Sequence, residues 1–469
     1  MNGTVPAEGP AAPQSAHIDG HESEQADVIS LTVVAVNGMA ALASFASEID
    51  RLNLASARPN PFLSAAFLRC FAAQNEYFDT AGGECLFLVR HGSRLIGCAP
   101  MRRSADFAGV EGPFARLAGR LQFLAPLDTD QPGILAAPGD EERVAAALIR
   151  HICQHERGWG ILEFAGQRPG TTLHRAMYAS VNCRFRARDI NVEPYTEIVV
   201  VWKDLGDYFR SLTKKMRSNI SRQARRLFAA GDVEVVLAGD SAAATAWFDA
   251  YCDLDGRSWK RGTSASVARN PRRVRFYREI TAGRAGLDPE FIGVVLDGVL
   301  IAGLVIGSNP SALRDNHGAW CLEMAYDQSL AELGPGQLLL LLAVGTAIEK
   351  SRGHVNFMQN FAYYKHRWAA DPIHVVNVQL IRRLSLHNAA AHLGAVRRKL
   401  RNLRWWPTDT SLSTGEHRTA SDEATDHGVT TSKREHSRRL TAAALALGGP
   451  AVRLLGREAC RAYLPFEID

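Results

Sequence analysis

Three features are scarce or missing in this 469-residue sequence, and each absence excludes a class of protein. It has no run of about 18 uninterrupted apolar residues, so no membrane-spanning helix is expected. The eight cysteines form no C-x-x-C pair and no cluster with histidine at zinc-ligand spacing, so we expect reduced thiols and no metal site. The net charge of +5 is small for this length, which argues against a protein whose entire surface attracts nucleic acid.

What is present indicates a globular protein. Hydrophobic residues make up 46% of the chain and charged residues 22%, as in soluble domains, and the length predicts roughly two to four of them. Residues 1–27 have neither apolar periodicity nor the basic-then-apolar order of a signal peptide. We therefore predict a disordered tail and a cytoplasmic location.

The most informative motif lies in the second half of the chain. An apolar strand candidate, Ala319–Tyr326, precedes Gly334, Pro335 and Gly336, and a helical pattern runs from Gln337 to Lys350. A glycine turn that opens a helix directs unpaired N–H groups and the positive end of the helix dipole at one point. That arrangement suits a phosphate or pyrophosphate. A tight turn without a ligand is the alternative, because a short glycine pattern is weak on its own.

Strand and helix patterns follow each other in a similar mixed order in both halves of the chain. The first half contains a hairpin with the turn His91-Gly92-Ser93, and the second contains one with Asp297-Gly298. We predict an α+β (mixed α/β) fold with tandem lobes, each a mixed β-sheet flanked by helices. The predicted segments are a disordered tail (1–27), an N-terminal lobe (28–200), a C-terminal lobe (201–384), a basic helix (385–406), a disordered linker (407–435) and a C-terminal helix (436–469).

Three blocks of the second half resemble a known family. They are the basic helix 208–227, the segment Arg257-Ser258-Trp259-Lys260-Arg261-Gly262, and Pro335-Gly336 followed later by Tyr364-Lys365. Their order resembles the GNAT-superfamily acyltransferase domain of CelD-type proteins of bacterial cellulose and exopolysaccharide biosynthesis, and more distantly the Fem-type aminoacyl ligases. The resemblance covers roughly residues 30–384 and is weaker in the first lobe, which is similar to the N-terminal lobe of that family.

The resemblance implies an enzyme that transfers an acyl group from acetyl-CoA or another acyl-CoA to an amine. Its fold binds the acyl-CoA between two splayed parallel strands, with the pyrophosphate on the turn that opens the next helix. Here the corresponding residues are Gly334, Gly336, Gln337 and Leu338. The implied acceptor is a small molecule or an amino sugar, and no metal is implied.

Candidate catalytic residues lie on either side of the glycine turn. Glu323 interrupts an apolar strand, where a charge is costly unless it is paired. It is a candidate general base, with structural pairing to an arginine as the alternative. Tyr364 is a candidate proton donor to the leaving thiolate, or else a wedge between the lobes. Tyr326 is a candidate lining residue, and Lys365 a candidate ligand for a substrate carboxylate or phosphate.

Two cationic segments supply further candidates for substrate binding. Arg217 belongs to a run of eight Lys/Arg between Lys203 and Arg226, for which a solvated helix face is the alternative. Trp259 accompanies a second cationic group, with core packing as the alternative. From Arg210 to Arg226 the run contains no aromatic residue, so nucleic acid is not an expected partner.

Two other functions stay open. The stretch 356–362 contains no acidic residue, although the family commonly has acids there. This departure favours a non-catalytic module that binds acyl-CoA or a partner in a polysaccharide system. An aminoacyl-tRNA-dependent transferase is the other alternative. The basic helix 389–406 could contact an anionic membrane surface.

Overall fold

The structure is a computed structural model that describes residues 31–56, 59–73, 83–105, 119–124, 133–192, 194–309, 318–358, 367–368, 371–386, 389, 427–447 and 452–468. The strands are β1 (Thr32–Asn37), β2 (Glu84–His91), β3 (Arg94–Ala105), β4 (Gly119–Phe123), β5 (Leu135–Ala136), β6 (Ile161–Gln167), β7 (Phe185–Asn191), β8 (Tyr195–Val199), β9 (Val233–Ala238), β10 (Asp288–Leu296), β11 (Val299–Ser308), β12 (Gly318–Tyr326), β13 (His354–Asn356), β14 (Asp371–Ile373), β15 (Val376–Arg382) and β16 (Val452–Leu455). The α-helices are α1 (Met39–Ser44), α2 (Ala46–Ala55), α3 (Ala65–Ala73), α4 (Glu141–His155), α5 (Thr172–Ala179), α6 (Leu205–Ser211), α7 (Lys214–Ala229), α8 (Ser241–Asp255), α9 (Pro271–Thr281), α10 (Pro335–Glu349), α11 (His427–Leu447) and α12 (Arg457–Tyr463).

These strands form two mixed sheets flanked by helices, which confirms the predicted α+β class. The first sheet has the order β1-β2-β3-β4-β6-β15-β7, with β5 paired to β3. The second has the order β14-β8-β13-β12-β11-β10-β9-β16. Each sheet contains one parallel pair, β4 with β6 and β12 with β13, among its described strands. Parallel neighbours need a crossover connection, which α4 and α10 provide.

The two sheets exchange strands across the predicted lobe boundaries. Strand β15 comes from the second half of the chain but lies between β6 and β7 of the first sheet. Strand β8, which falls inside the predicted range 28–200, pairs with β13 and β14 in the second sheet. The boundaries at 200 and 384 therefore do not divide the sheets, because local pattern identifies a strand without identifying its partner.

The basic helix is interrupted, whereas the sequence pattern predicts one helix over Leu205–Ala230. Helix α6 ends at Ser211 and α7 begins at Lys214. The side chain of Thr213 accepts a hydrogen bond from the Met216 N–H at 3.3 Å and so caps the new helix.

The C-terminal segment differs from the single helix predicted for 436–469. Helix α11 already begins at His427, inside the predicted disordered linker, and ends before the Gly448-Gly449-Pro450 sequence that cannot extend it. Strand β16 then pairs with β9 at the edge of the second sheet. The hydroxyl of Thr441 accepts a hydrogen bond from the Leu300 N–H at 3.2 Å, so α11 is anchored on the second sheet. The predicted tail 1–27 and most of the predicted basic helix 385–406 lie outside the described residues.

The two lobes share a hydrophobic core. The ring centroids of Phe62 and Trp320 are 5.4 Å apart, and those of Phe67 and Phe276 are 5.7 Å apart, both edge to face. Each pair joins a residue near α3 to one in the second half, so apolar burial holds the lobes together. Among the described residues, no helix is both long and apolar enough to cross a bilayer.

Thiol reactivity offers a simple check of this fold. All eight cysteines are unpaired, and Cys183 is exposed whereas Cys85 and Cys98 are buried. Burial raises the pKa of Cys85 to about 12, and that of Cys252 to about 12. We expect iodoacetamide at mildly alkaline pH to modify Cys183 first, as read by peptide mass spectrometry, because the thiolate is the reactive form. Equal modification of Cys98 in the folded protein would contradict the buried packing of the first sheet.

Candidate functional site

The turn between β12 and α10 depends on glycine. A 3₁₀ segment, Gln328–Leu333, leads into Gly334, whose φ of 66° lies in the left-handed region. A Cβ atom at Gly334 would lie 2.5 Å from Oε1 of Gln223 on α7, so a larger residue would also require the Gln223 side chain to move. Asp327 accepts a hydrogen bond from the Ser329 N–H at 3.0 Å and caps the 3₁₀ segment.

The start of α10 has an N–H group that bonds to none of the residues that the structure describes. Pro335 has no N–H, and the N–H groups of Gln337 and Leu338 both contact the Gly334 carbonyl, at 3.0 and 3.3 Å. Among the described residues, none accepts a hydrogen bond from the Gly336 N–H, and the first turn carries no acidic side chain or side-chain cap. The positive end of this 15-residue helix is therefore uncompensated at Gly336.

Helix α4, which makes the corresponding crossover in the first sheet, begins very differently. Asp140 precedes it, and Glu141 and Glu142 occupy its first turn. These carboxylates already neutralise the positive end of the helix dipole and would repel an anion. Of these two helix starts, only that of α10 suits a phosphate.

Next to this turn, the two parallel strands of the second sheet separate. Strands β12 and β13 pair over only three residues, Gly318–Trp320 with His354–Asn356. The chain then leaves β12, because the Phe357 N–H bonds to the Thr196 carbonyl at 2.8 Å and Met358 adopts a φ of 60°. Beyond Trp320, β12 continues for six residues, about 20 Å, without a described partner on that side. Its backbone groups there can bond to an extended ligand.

Glu323 lies on this strand but is fully engaged. Its side chain is 5% exposed and forms ion pairs with Lys260 and Arg273. The Tyr251 hydroxyl donates to its Oε2 at 3.4 Å. Burial, followed by the charge of Glu323, raises the pKa of Tyr251 well above its ordinary value, so that hydroxyl stays protonated. Both carboxylate oxygens of Glu323 are therefore already occupied by partners within the protein. The geometry thus favours the structural alternative for Glu323.

The other predicted residues have different surroundings. Tyr326 packs beside Gly336, where an added Cβ would lie 3.0 Å from the ring. Burial raises the pKa of Tyr326, so its phenol is neutral. Nη1 of Arg217 donates to the carbonyls of Arg210 and Leu212 at the end of α6, which is a structural role. Tyr364 and Lys365 lie outside the described residues.

Trp259 is not a core residue. It is 45% exposed, and the Lys260 Nζ lies 5.8 Å from its ring centroid. The preceding residue, Ser258, forms an isolated β-bridge with Asp327, which follows β12 directly. Trp259 is thus an exposed aromatic residue close to the C-terminal end of β12.

Sequence reasoning missed Gln223. Its amide side chain lies against the glycine turn and accepts a hydrogen bond from Asn219 at 3.4 Å. An uncharged residue within a basic run gives no signal of its own, since its position depends on how α7 packs against α10. Among the described residues, no group of His, Cys, Asp and Glu could hold a metal ion.

Comparison with known proteins supports an acyltransferase-like second lobe. Residues 214–366 match the family model described as "Acetyltransferase (GNAT) domain", which covers about a third of the chain. This range includes α7, the glycine turn and the split strands. No curated protein matches the sequence.

Several solved structures are similar at low identity. A conserved protein of unknown function from Bacteroides thetaiotaomicron has 13% identity and a TM-score of 0.44, over 74% of this chain and 99% of its own. FemX has 11% identity and a TM-score of 0.46, over 71% of this chain and 95% of its own. A tandem GNAT protein from the clavulanic acid biosynthesis pathway has 12% identity and a TM-score of 0.38, over 75% of this chain and 98% of its own. With TM-scores below 0.5, these likenesses carry no argument about function. The second lobe contains a GNAT acyltransferase-like domain.

Proposed function

We propose that the second lobe is an acyl-CoA-dependent N-acyltransferase. The observation that carries this proposal is the start of α10, where the Gly336 N–H has no partner among the described residues, at the open end of the split between β12 and β13. An acyl-CoA has an anionic pyrophosphate followed by an extended arm with two amides. The helix start suits the pyrophosphate, and the unpaired edge of β12 suits the arm.

In the proposed reaction, the amine nitrogen bonds to the thioester carbonyl carbon and the carbon–sulfur bond breaks. The amine loses a proton, and the departing thiolate gains one. Backbone N–H groups along the edge of β12 are suited to stabilise negative charge on the carbonyl oxygen. We further propose that Tyr326 lines the substrate, and that Tyr364 and Lys365 keep the roles suggested by the sequence.

The acceptor is the least constrained part of this proposal. An amino sugar or another small amine agrees with the resemblance to polysaccharide-related enzymes, and acetyl is the simplest acyl group. We propose that Trp259 contributes a flat surface for the acceptor, because an exposed ring beside cationic residues can pack against a sugar or a substrate amine.

One observation favours a second candidate, a module that binds acyl-CoA without turnover. Glu323 is paired with two cations, and residues 356–358 contain no acid, so neither supplies an obvious general base. Calorimetry with acetyl-CoA, followed by thiol-release assays over a panel of amines, distinguishes the two. Binding with thiol release supports the transferase, and binding without release for any amine supports the module. Failure to bind any acyl-CoA contradicts both.

Replacing Trp259 with alanine tests its role as a platform. Because the ring is half exposed, the variant should keep its stability within about 0.5 kcal/mol. The KM for the acceptor amine should rise by roughly threefold to tenfold while the KM for acetyl-CoA stays unchanged. Trp259→Phe keeps a flat ring and should recover most of the activity. A rise in the acetyl-CoA KM alone would place Trp259 at the donor instead.

A further inference from the structure

Helix α7 carries positive charge that the described residues do not neutralise. Its sequence contains six Lys/Arg and no acidic residue. Lys214, Lys215, Arg225 and Arg226 are exposed and form no ion pair with any described residue. Some exposed arginines on other helices are paired, as Arg175 is with Glu142 and Arg278 is with Asp249. Such uncompensated charge on one helix suits an anionic ligand.

Part of this charge lies beside the glycine turn. Gln223 contacts Gly334, and Arg226 follows Gln223 by three residues, so both project from nearly the same side of the helix. The Arg222 Nη2 donates to the Asn219 Oδ1 at 2.8 Å, and Asn219 in turn donates to Gln223. The guanidinium of Arg222 is therefore held on the side of α7 that carries Asn219 and Gln223.

Two of the other exposed cations, Arg225 and Lys214, lie on the opposite side of the helix from Gln223. With 3.6 residues per turn, each residue is rotated by about 100° from the one before it. Arg225 is consequently about 160° from Gln223 around the helix axis, and Lys214 is about 180° from it. Arg225 and Arg226 thus share chemistry, exposure and sequence neighbourhood, and they differ in which side of α7 they occupy.

We propose that Arg222 and Arg226 bind the phosphate that CoA carries on its ribose, beyond the pyrophosphate held at Gly336. This inference rests on the proposed function of the site. A phosphate monoester carries close to two negative charges near neutral pH, and the planar fork of a guanidinium matches its oxygens. The two arginines make the site selective for CoA over 3′-dephospho-CoA.

A long polyanion such as RNA is the competing partner for a basic helix. Nucleic-acid binding would engage cations on more than one side of α7, and its affinity would fall steeply with salt. The apolar side of α7 is buried in the core of the second lobe through Met216, Ile220 and Leu227, so the helix cannot insert into a membrane. The local geometry around Gln223 favours a single phosphate.

Calorimetric titration of the full-length protein with CoA and with 3′-dephospho-CoA tests the proposal. The unmodified protein should prefer CoA by about tenfold. Arg226→Gln and Arg222→Gln should each reduce this preference to about twofold by weakening CoA alone. Arg225→Gln, the matched control, should keep the full preference. Thermal melting of each variant checks that the fold is intact.

The possible failures are distinguishable. Equal affinity of the unmodified protein for both ligands would overturn the assignment of Arg222 and Arg226 while leaving the proposed function in place. If Arg225→Gln and Arg226→Gln reduce the preference for CoA equally, the assignment is also overturned. Net charge, or a surface that binds polyanions, would then explain the reduced preference. If neither ligand binds, the proposed function and this inference both fail.

Discussion

Replacing Gly336 with glutamate should lower the affinity for acetyl-CoA at least 100-fold while changing the melting temperature only slightly, because the favourable helix-dipole interaction offsets the close contact of the new Cβ with the Tyr326 ring. The new carboxylate would occupy the position proposed for the pyrophosphate, at the uncompensated start of α10. The same carboxylate interacts favourably with the helix dipole, by about 0.3–1 kcal/mol, and glycine is a poor helix former. Calorimetry and thermal melting measure the two effects separately.

Two controls sharpen this experiment. Gly336→Ala keeps the N–H and adds only a methyl group that meets the Tyr326 ring at 3.0 Å, so we expect a much smaller loss of affinity. Glu142→Gln removes a charge at the start of α4, where the side chain is 77% exposed, and should leave acetyl-CoA binding unchanged. An affinity of Gly336→Glu within threefold of the unmodified protein would contradict the assignment of the turn.

Glu323→Gln should lower the free energy of unfolding by about 3–5 kcal/mol. Glutamine preserves the shape of the side chain but removes the negative charge of Glu323 from Lys260 and Arg273, which are 8% and 13% exposed. Denaturant titration followed by fluorescence measures the loss. A second change, Lys260→Met, removes one of the stranded charges and should restore part of the stability.

The same variants distinguish a structural carboxylate from a general base. If Glu323 acts as the base, Glu323→Gln will retain stability and lose thiol release. If it holds the strand in place, stability will fall, and the double variant will recover activity together with stability. A full loss of turnover in a stable Glu323→Gln protein would overturn the structural role favoured by the geometry.

The parts of the fold that were predictable from sequence depend on local chemistry. The Asp297-Gly298 pair predicts a hairpin turn, and both residues indeed adopt positive φ angles, 50° and 75°. The glycine turn before α10 was found in the same way. Strand partners were not predictable, because alternation marks β15 as a strand whether it joins the first sheet or the second.

The site was predictable only in part, for the same reason. The charge within an apolar strand marks Glu323 in the sequence. Its partners Lys260 and Arg273 are distant in sequence, where they resemble surface residues. The exposure of Trp259 also follows from tertiary packing. Arg225 and Arg226 look identical in the sequence until the contact between Gln223 and Gly334 fixes the orientation of α7.

The insertion of β15 between β6 and β7 affects how the protein emerges from the ribosome. The last strand that the first half contributes to the first sheet, β7, ends at Asn191, yet the strand that joins it to β6 ends at Arg382, 191 residues later. At usual elongation rates this interval takes roughly 10–40 s. During that time β6 and β7 present unpaired edges to other nascent chains. Synthesis of this protein should therefore depend more on chaperones than synthesis of a chain whose lobes are completed one after the other.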